Sequence, residues 1–206
     1  MGIPVLVLGE SGSGKSTSLR NFNPDELVIY NVAGKPLPFR KGSQMNRADN
    51  VDYIKIIANM NKKKFKRYVI DDSQYLLCFE LFDRSAETGY TKFTEMAKHF
   101  YDLIQFVIQQ MPPDCIVYFL HHTEMIENKY KAKTIGKMLD EKLTVEGLFS
   151  IVLMAQNIDG KHIFWTQSNG NSPVKTPMEM FENEKIDNDL KLVDDTIREY
   201  YNLKGN

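Results

Sequence analysis

A length of 206 residues suits one domain, and an apolar share of 42% is ordinary for a globular protein. Lysine and arginine (26) almost balance aspartate and glutamate (27). The resulting formal charge of −1 excludes a global basic field for nucleic acid, so any such site must be a local patch. The two cysteines, Cys78 and Cys115, sit in apolar runs and match neither a disulfide framework nor a zinc-ligand spacing.

The chain opens on Ile3-Pro4-Val5-Leu6-Val7-Leu8, a short apolar run that predicts a buried parallel strand. Gly9-Glu10-Ser11-Gly12-Ser13-Gly14-Lys15-Ser16 follows and fits the phosphate-binding pattern G-x-x-x-x-G-K-[ST] without a mismatch. Glycines let the backbone turn its N–H groups into one hollow, and a helix predicted from Ser16 adds its positive end. In this pattern Lys15 reaches the β- and γ-phosphates of ATP and Ser16 ligates Mg²⁺. Thr17 is a second hydroxyl in that turn and a candidate for the α-phosphate.

Beyond the turn at Asn23-Pro24-Asp25, residues 26–31 read as a second strand. Residues 32–42 form a proline-containing basic loop, with Lys35, Arg40 and Lys41, read as a solvated face. A short helix is predicted over residues 51–61. Tyr68-Val69-Ile70-Asp71-Asp72 then reads as a strand ending in acids, the metal half of a nucleotide site. Asp71 is the candidate Mg²⁺ partner and Asp72 the candidate group for orienting or deprotonating water. The alternative for Asp72 is a helix N-terminal acid preceding Ser73-Gln74.

Helices are predicted over residues 73–86 and 92–110, the second with a core-facing apolar stripe. Residues 115–120 read as a third buried strand, stopping at His121-His122-Thr123-Glu124, where open α/β sheets place ligands. Adjacent strand residues face opposite ways, so His121 and His122 are poor joint metal ligands. Residues 125–136 read as a loop in which Lys129, Lys131 and Lys133 surround Tyr130. That composition suits a nucleic-acid backbone plus one stacked base, and equally a basic loop without a partner. A helix is predicted over 138–146, a strand over 148–154, a hairpin turning at Asn157-Ile158-Asp159-Gly160, and a last helix over 188–201. No basic leader precedes the first apolar run and no stretch is long enough to span a bilayer, so a cytoplasmic protein without membrane partners is expected.

Taken together, the Gly9–Ser16 loop (residues 9–16), Val69-Ile70-Asp71-Asp72-Ser73, Thr134-Ile135-Gly136-Lys137 and Lys175-Thr176-Pro177 resemble a family of small bacteriophage ATPases with a RecA-like core. The resemblance runs over nearly the whole chain. It implies an α/β fold, a mostly parallel sheet flanked by helices with a C-terminal β-hairpin. It also implies the cytoplasm of an infected bacterium and a place in phage recombination modules, beside single-strand DNA-binding or annealing proteins. It further implies a homo-oligomer with ATP between subunits and a basic residue reaching across, for which Lys175 is the candidate. RecA-like enzymes usually carry a catalytic glutamate near the end of the second strand. Tyr30-Asn31-Val32-Ala33-Gly34 offers no acid there, so either Asp72 activates water or hydrolysis is slow.

Two functions are therefore expected to compete. One is an ATPase of phage DNA recombination or replication acting on or beside single-stranded DNA. The other is an ATP-dependent assembly switch that recruits a phage or host protein with little hydrolysis. A small-molecule phosphotransferase is a third reading, weakened by the lack of an arginine-rich lid.

Overall fold

The computed structural model describes residues 1–203, the side chain of Asp140 apart. Its centre is a strand with no polar side chain before the loop, β1 (Ile3–Gly9). Successive side chains of a strand point to opposite faces. Leu6 and Leu8 accordingly enter one core, and Val5 and Val7 the other. Burial on both faces is what a continuous apolar run requires.

The remaining strands are β2 (Val28–Asn31), β3 (Arg47–Asp49), β4 (Arg67–Asp71), β5 (Ile116–Ile126), β6 (Lys129–Ala132), β7 (Ile151–Ile158), β8 (Lys161–Trp165) and β9 (Lys185–Asp187). Their order is β3-β2-β4-β5-β1-β7-β8-β9, with β6 paired to the far end of β5. The six strands from β3 to β7 in that order run parallel; β8 and β9 add an antiparallel edge. One strand, β5, separates β1 from β4. Gly9 is in register with His122 of β5, and Asn31 of β2 with Asp71 of β4. The carboxyl ends of four parallel strands thus meet on one rim.

Helices α1 (Tyr53–Met60), α2 (Gln74–Asp83) and α3 (Thr91–Gln110) cover one face through Ile56, Met60, Leu77, Phe100 and Ile104. The other face is closed by α4 (Leu190–Tyr200), through Leu190, Val193 and Ile197, and by Leu19. Asp52 and Asp189 start α1 and α4 by accepting from the N–H groups of Lys55 and Lys191. The expected α/β class, mostly parallel sheet and late hairpin are all observed.

Several boundaries differ from expectation for identifiable reasons. The helix after the phosphate loop is a six-residue 3₁₀ segment, Ser16–Asn21. Ser18 Oγ bonds the carbonyl of Lys15 at 2.6 Å, a local competitor of helical bonding. Strand β5 continues past His121 because β6 pairs with it, so the expected basic loop is a hairpin. Its two-residue turn, Glu127-Asn128, has positive φ at both positions (49° and 62°), as tight hairpins require. The helix expected over 138–146 is replaced by one π turn (Met138–Lys142) and a 3₁₀ turn (Val145–Leu148). Glu146 is buried there, and its carboxylate accepts from the Ala132 N–H instead of facing solvent. Strands β3 and β9 are short and polar and carry no periodic signal.

Candidate nucleotide site

The rim is built first by close packing. A Cβ on Gly9 would lie 2.4 Å from Ser13 Oγ and 2.8 Å from the Ala155 carbonyl, so only glycine lets β1 turn here. Gly14 has φ +98°, and a Cβ on it would lie 2.9 Å from His162 Nδ1 and 3.0 Å from Asn188 Oδ1. The loop therefore rests on β8 and on Asn188, which precedes the Asp189 cap of α4. The Lys15 ammonium donates to the carbonyls of Gly9 (2.8 Å) and Glu10 (2.9 Å). Burial lowers its pKa to about 8, while the charges of Asp72 and Asp71 pull the other way.

Ser16 and Asp71, 55 positions apart, meet directly: Ser16 Oγ donates to Asp71 Oδ1 at 2.8 Å. Asp71 is buried, and burial followed by the charge of Asp72 raises its carboxyl to about 6, against the Ser16 bond. Two converging oxygens of this kind suit a hard cation such as Mg²⁺, which keeps waters and takes phosphate oxygens for the rest of its shell. Among the described residues no group of three or more His, Cys, Asp or Glu side chains is placed to hold a metal. Ser16 and Asp71 would then hold the ion together with the nucleotide, and the donor set fits that arrangement.

Asp72 adopts φ +60°, a left-handed conformation uncommon for a residue with a side chain. Both of its oxygens are engaged. Oδ1 lies 3.1 Å from His122 Nε2, and Oδ2 lies 2.6 Å from Lys35 Nζ. Burial pushes Asp72 up, but the bonds from His122 and Lys35 and the lysine charge outweigh it and hold the carboxylate at about 2. Lys35 comes from the loop after β2, and its ammonium also lies 5.4 Å from the centre of the Tyr75 ring. His121 faces the other way: it is fully buried, 2.9 Å from Ser73 Oγ and 2.9 Å from the Lys133 carbonyl. Burial drops its pKa to about 4, so it is neutral at physiological pH.

Beside the loop lies a cavity of about 270 Å³, bounded by Gly9, Ser13, Thr123, Tyr130 and Gln156 among others. The buried hydroxyls of Ser13 and Thr123 have no protein partner. Buried polar groups are normally satisfied, so these two are available to a polar ligand.

The structure brings together residues 9–16, Asp71 and Asp72. Glu10, Ser11 and Gly12 are exposed on the outer turn, Ser13, Gly14 and Lys15 are buried, and Ser16 and Thr17 lie between. Lys175 is not part of this group. It is exposed and bridges Val152, whose neighbour on β1 is Leu6, well below the rim. The hairpin also divides the other expected cluster. On β6, Lys129 and Lys131 alternate with Tyr130 and Ala132, so the tyrosine does not share the face of those two lysines, and Lys133 lies just past the strand. Tyr130 turns toward the phosphate-loop cavity, and Lys131 lies 3.7 Å from Glu124 across the hairpin. Sequence reasoning missed Lys35 and His122 as partners of Asp72. No local signal marks Lys35: the register of Asn31 with Asp71, set by the sheet, brings the loop after β2 over the end of β4.

Comparison with protein-family models and with curated proteins yields no match. Among solved structures the chain is similar to a KaiC-like protein of the hyperthermophilic archaeon Pyrococcus horikoshii OT3. The identity is 14%, over 80% of this chain and 76% of that one, with a TM-score of 0.45. The chemistry of the site rests on its own geometry.

Proposed function

We propose that this protein binds Mg·ATP at residues 9–16 with Asp71 and hydrolyses it, acting in phage DNA recombination or replication on or beside single-stranded DNA. The observation that carries the nucleotide reading is the 2.8 Å bond between Ser16 Oγ and Asp71 Oδ1. It joins the two halves of a phosphate-and-metal site from distant parts of the chain. Lys15 exchanges its two loop carbonyls for phosphate oxygens, and the loop N–H groups cradle the rest. Ser16 and Asp71 would hold the magnesium ion, which would supply positive charge to offset that of the phosphates. Asp72, the acid nearest the metal pair, accepts the proton of the attacking water. The new bond forms between water oxygen and γ-phosphorus, and the bond to the β,γ-bridging oxygen breaks, with its electrons leaving on ADP.

The DNA part of this reading is supported by the resemblance to phage ATPases and by the lysines of β6. A second reading, an assembly switch with little turnover, is favoured by the engagement of both Asp72 oxygens. It is favoured too by Asn31 at the end of β2, where related cores carry an acid.

The test is ATP binding and hydrolysis with and without single-stranded DNA, with Lys15→Ala as control. Loss of a charged donor worth roughly 1.5–3 kcal/mol weakens ATP binding about 10- to 100-fold. Stimulation by DNA that vanishes in Lys15→Ala supports the recombination ATPase. Binding without turnover in either condition supports the switch. No binding by the unaltered protein rejects both.

A further inference from the structure

Lys35 was read from the sequence as part of a solvated loop, and the nucleotide chemistry above gives it no task. Its backbone, however, is fixed. Asn31 Nδ2 donates to the Lys35 carbonyl at 2.7 Å and to Asp49 Oδ1 at 2.7 Å, tying the loop to the ends of β2 and β3. The turn before it is equally constrained, since a Cβ on Gly34 (φ +65°) would lie 2.4 Å from Asn50 Oδ1. By contrast the Lys35 side chain is 61% exposed, and its anchors are Asp72 and the Tyr75 ring. A long flexible arm thus stands on a rigid base, with its charge at the rim. It is near enough to Lys15 and Asp71 to act on the charge of both.

Both cations lie within electrostatic reach of the Asp71–Asp72 pair. Lys15 rises from the phosphate loop at the end of β1, and Lys35 from beyond Asp72, on the far side of β4. An in-line transfer needs positive charge on the γ-phosphoryl group, and it needs a carboxylate oxygen free for water. Here one ammonium occupies that oxygen. We propose that Lys35 is a γ-phosphate-binding cation supplied within the chain, held by Asp72 until a nucleoside triphosphate draws it away. The move delivers a charge to the γ-phosphate and frees Asp72 Oδ2 to take the proton of water. A diphosphate offers nothing to draw Lys35 off, so the exchange reads the third phosphate. This inference rests on the nucleotide-site reading above, and it removes the need for Lys175 of a neighbour to supply that charge.

The experiment is equilibrium binding of fluorescent ADP and a fluorescent non-hydrolysable ATP analogue, both with Mg²⁺, to the full chain. The unaltered protein is expected to prefer the triphosphate by about tenfold or more, the scale of one charge-assisted contact. Lys35→Ala and Lys35→Gln lose that preference by weakening the triphosphate alone, and Lys35→Arg recovers most of it. Asp72→Asn does the reverse: it releases Lys35, tightens triphosphate binding and abolishes turnover. A purely structural Lys35–Asp72 pair has no such opposed effects. The proposal is overturned if the Lys35 variants keep the preference, or lose both nucleotides equally. It is also overturned if Asp72→Asn weakens the triphosphate. If Lys15→Ala still weakens binding of both nucleotides in those cases, the nucleotide site stands and only the role of Lys35 fails. If the unaltered protein binds neither nucleotide, both fall.

Discussion

Lys15 carries the most direct prediction at the scale of one residue. Burial holds its ammonium at about 8 rather than 10.5. Nucleotide phosphates are fully ionised from about pH 7.5 upward, so the alkaline limb of binding reports the protein. Affinity for Mg·ATP is expected to be flat up to about pH 8 and then to fall, by at most about tenfold per pH unit. Titration of a fluorescent nucleotide from pH 7.5 to 9.5 checks this, and constant affinity over that range refutes it. Folding responds oppositely. Between about pH 8 and 10.5 the unfolded chain binds the lysine proton and the folded one does not, so the Lys15 contribution to stability rises with pH. The meeting of Ser16 with Asp71 was legible because each lies in a local pattern, a glycine-spaced loop and a strand ending in acids. Lys35 and His122 were not, because nothing local to either marks its contact with Asp72.

At the scale of elements, α4 is locked to the sheet by a buried ionic cluster. Asp194, fully buried, accepts from Arg67 Nε of β4 at 2.6 Å, from Arg198 Nε at 3.1 Å and from the Tyr118 hydroxyl of β5 at 2.8 Å. Two arginines around one carboxylate leave two unbalanced charges when the carboxylate is removed. Asp194→Ala is expected to destabilise the fold by about 3–5 kcal/mol, the range for breaking a buried ion pair from one side. Urea denaturation measures it, and a loss under about 1 kcal/mol would show that the cluster is well hydrated. Replacement of the whole cluster by apolar residues of similar volume costs much less. A last helix was expected over residues 188–201, but the burial of its charged members Asp194 and Arg198 depends on what packs against it.

For the whole molecule, the sheet sets what an oligomer or a DNA strand can reach. Lys175 stands apart from the phosphate loop of its own chain, so a charge from it can act only on a neighbour's nucleotide. If it does, mass by light scattering increases with a non-hydrolysable ATP analogue relative to ADP, and Lys175→Ala lowers turnover without weakening nucleotide binding. Equal mass in both states, with unchanged turnover in the variant, rejects the neighbour's role and leaves the charge to Lys35. Among the described residues no helix is long and apolar enough to cross a membrane.

The sequence by itself determined the phosphate loop, the acidic strand end, the α/β class and the late hairpin. Each of these is a local pattern: a glycine spacing, a run of apolar residues, a turn dipeptide. Only the tertiary structure decided that β5 runs on into a hairpin, and that Tyr130 and the β6 lysines face different ways. It also decided that Asp72 is shared between His122 and Lys35. Those features depend on strand register and on which strand ends become neighbours. Pairing between segments 37 to 50 positions apart follows from burying both faces of one sheet, and no short window of sequence records it.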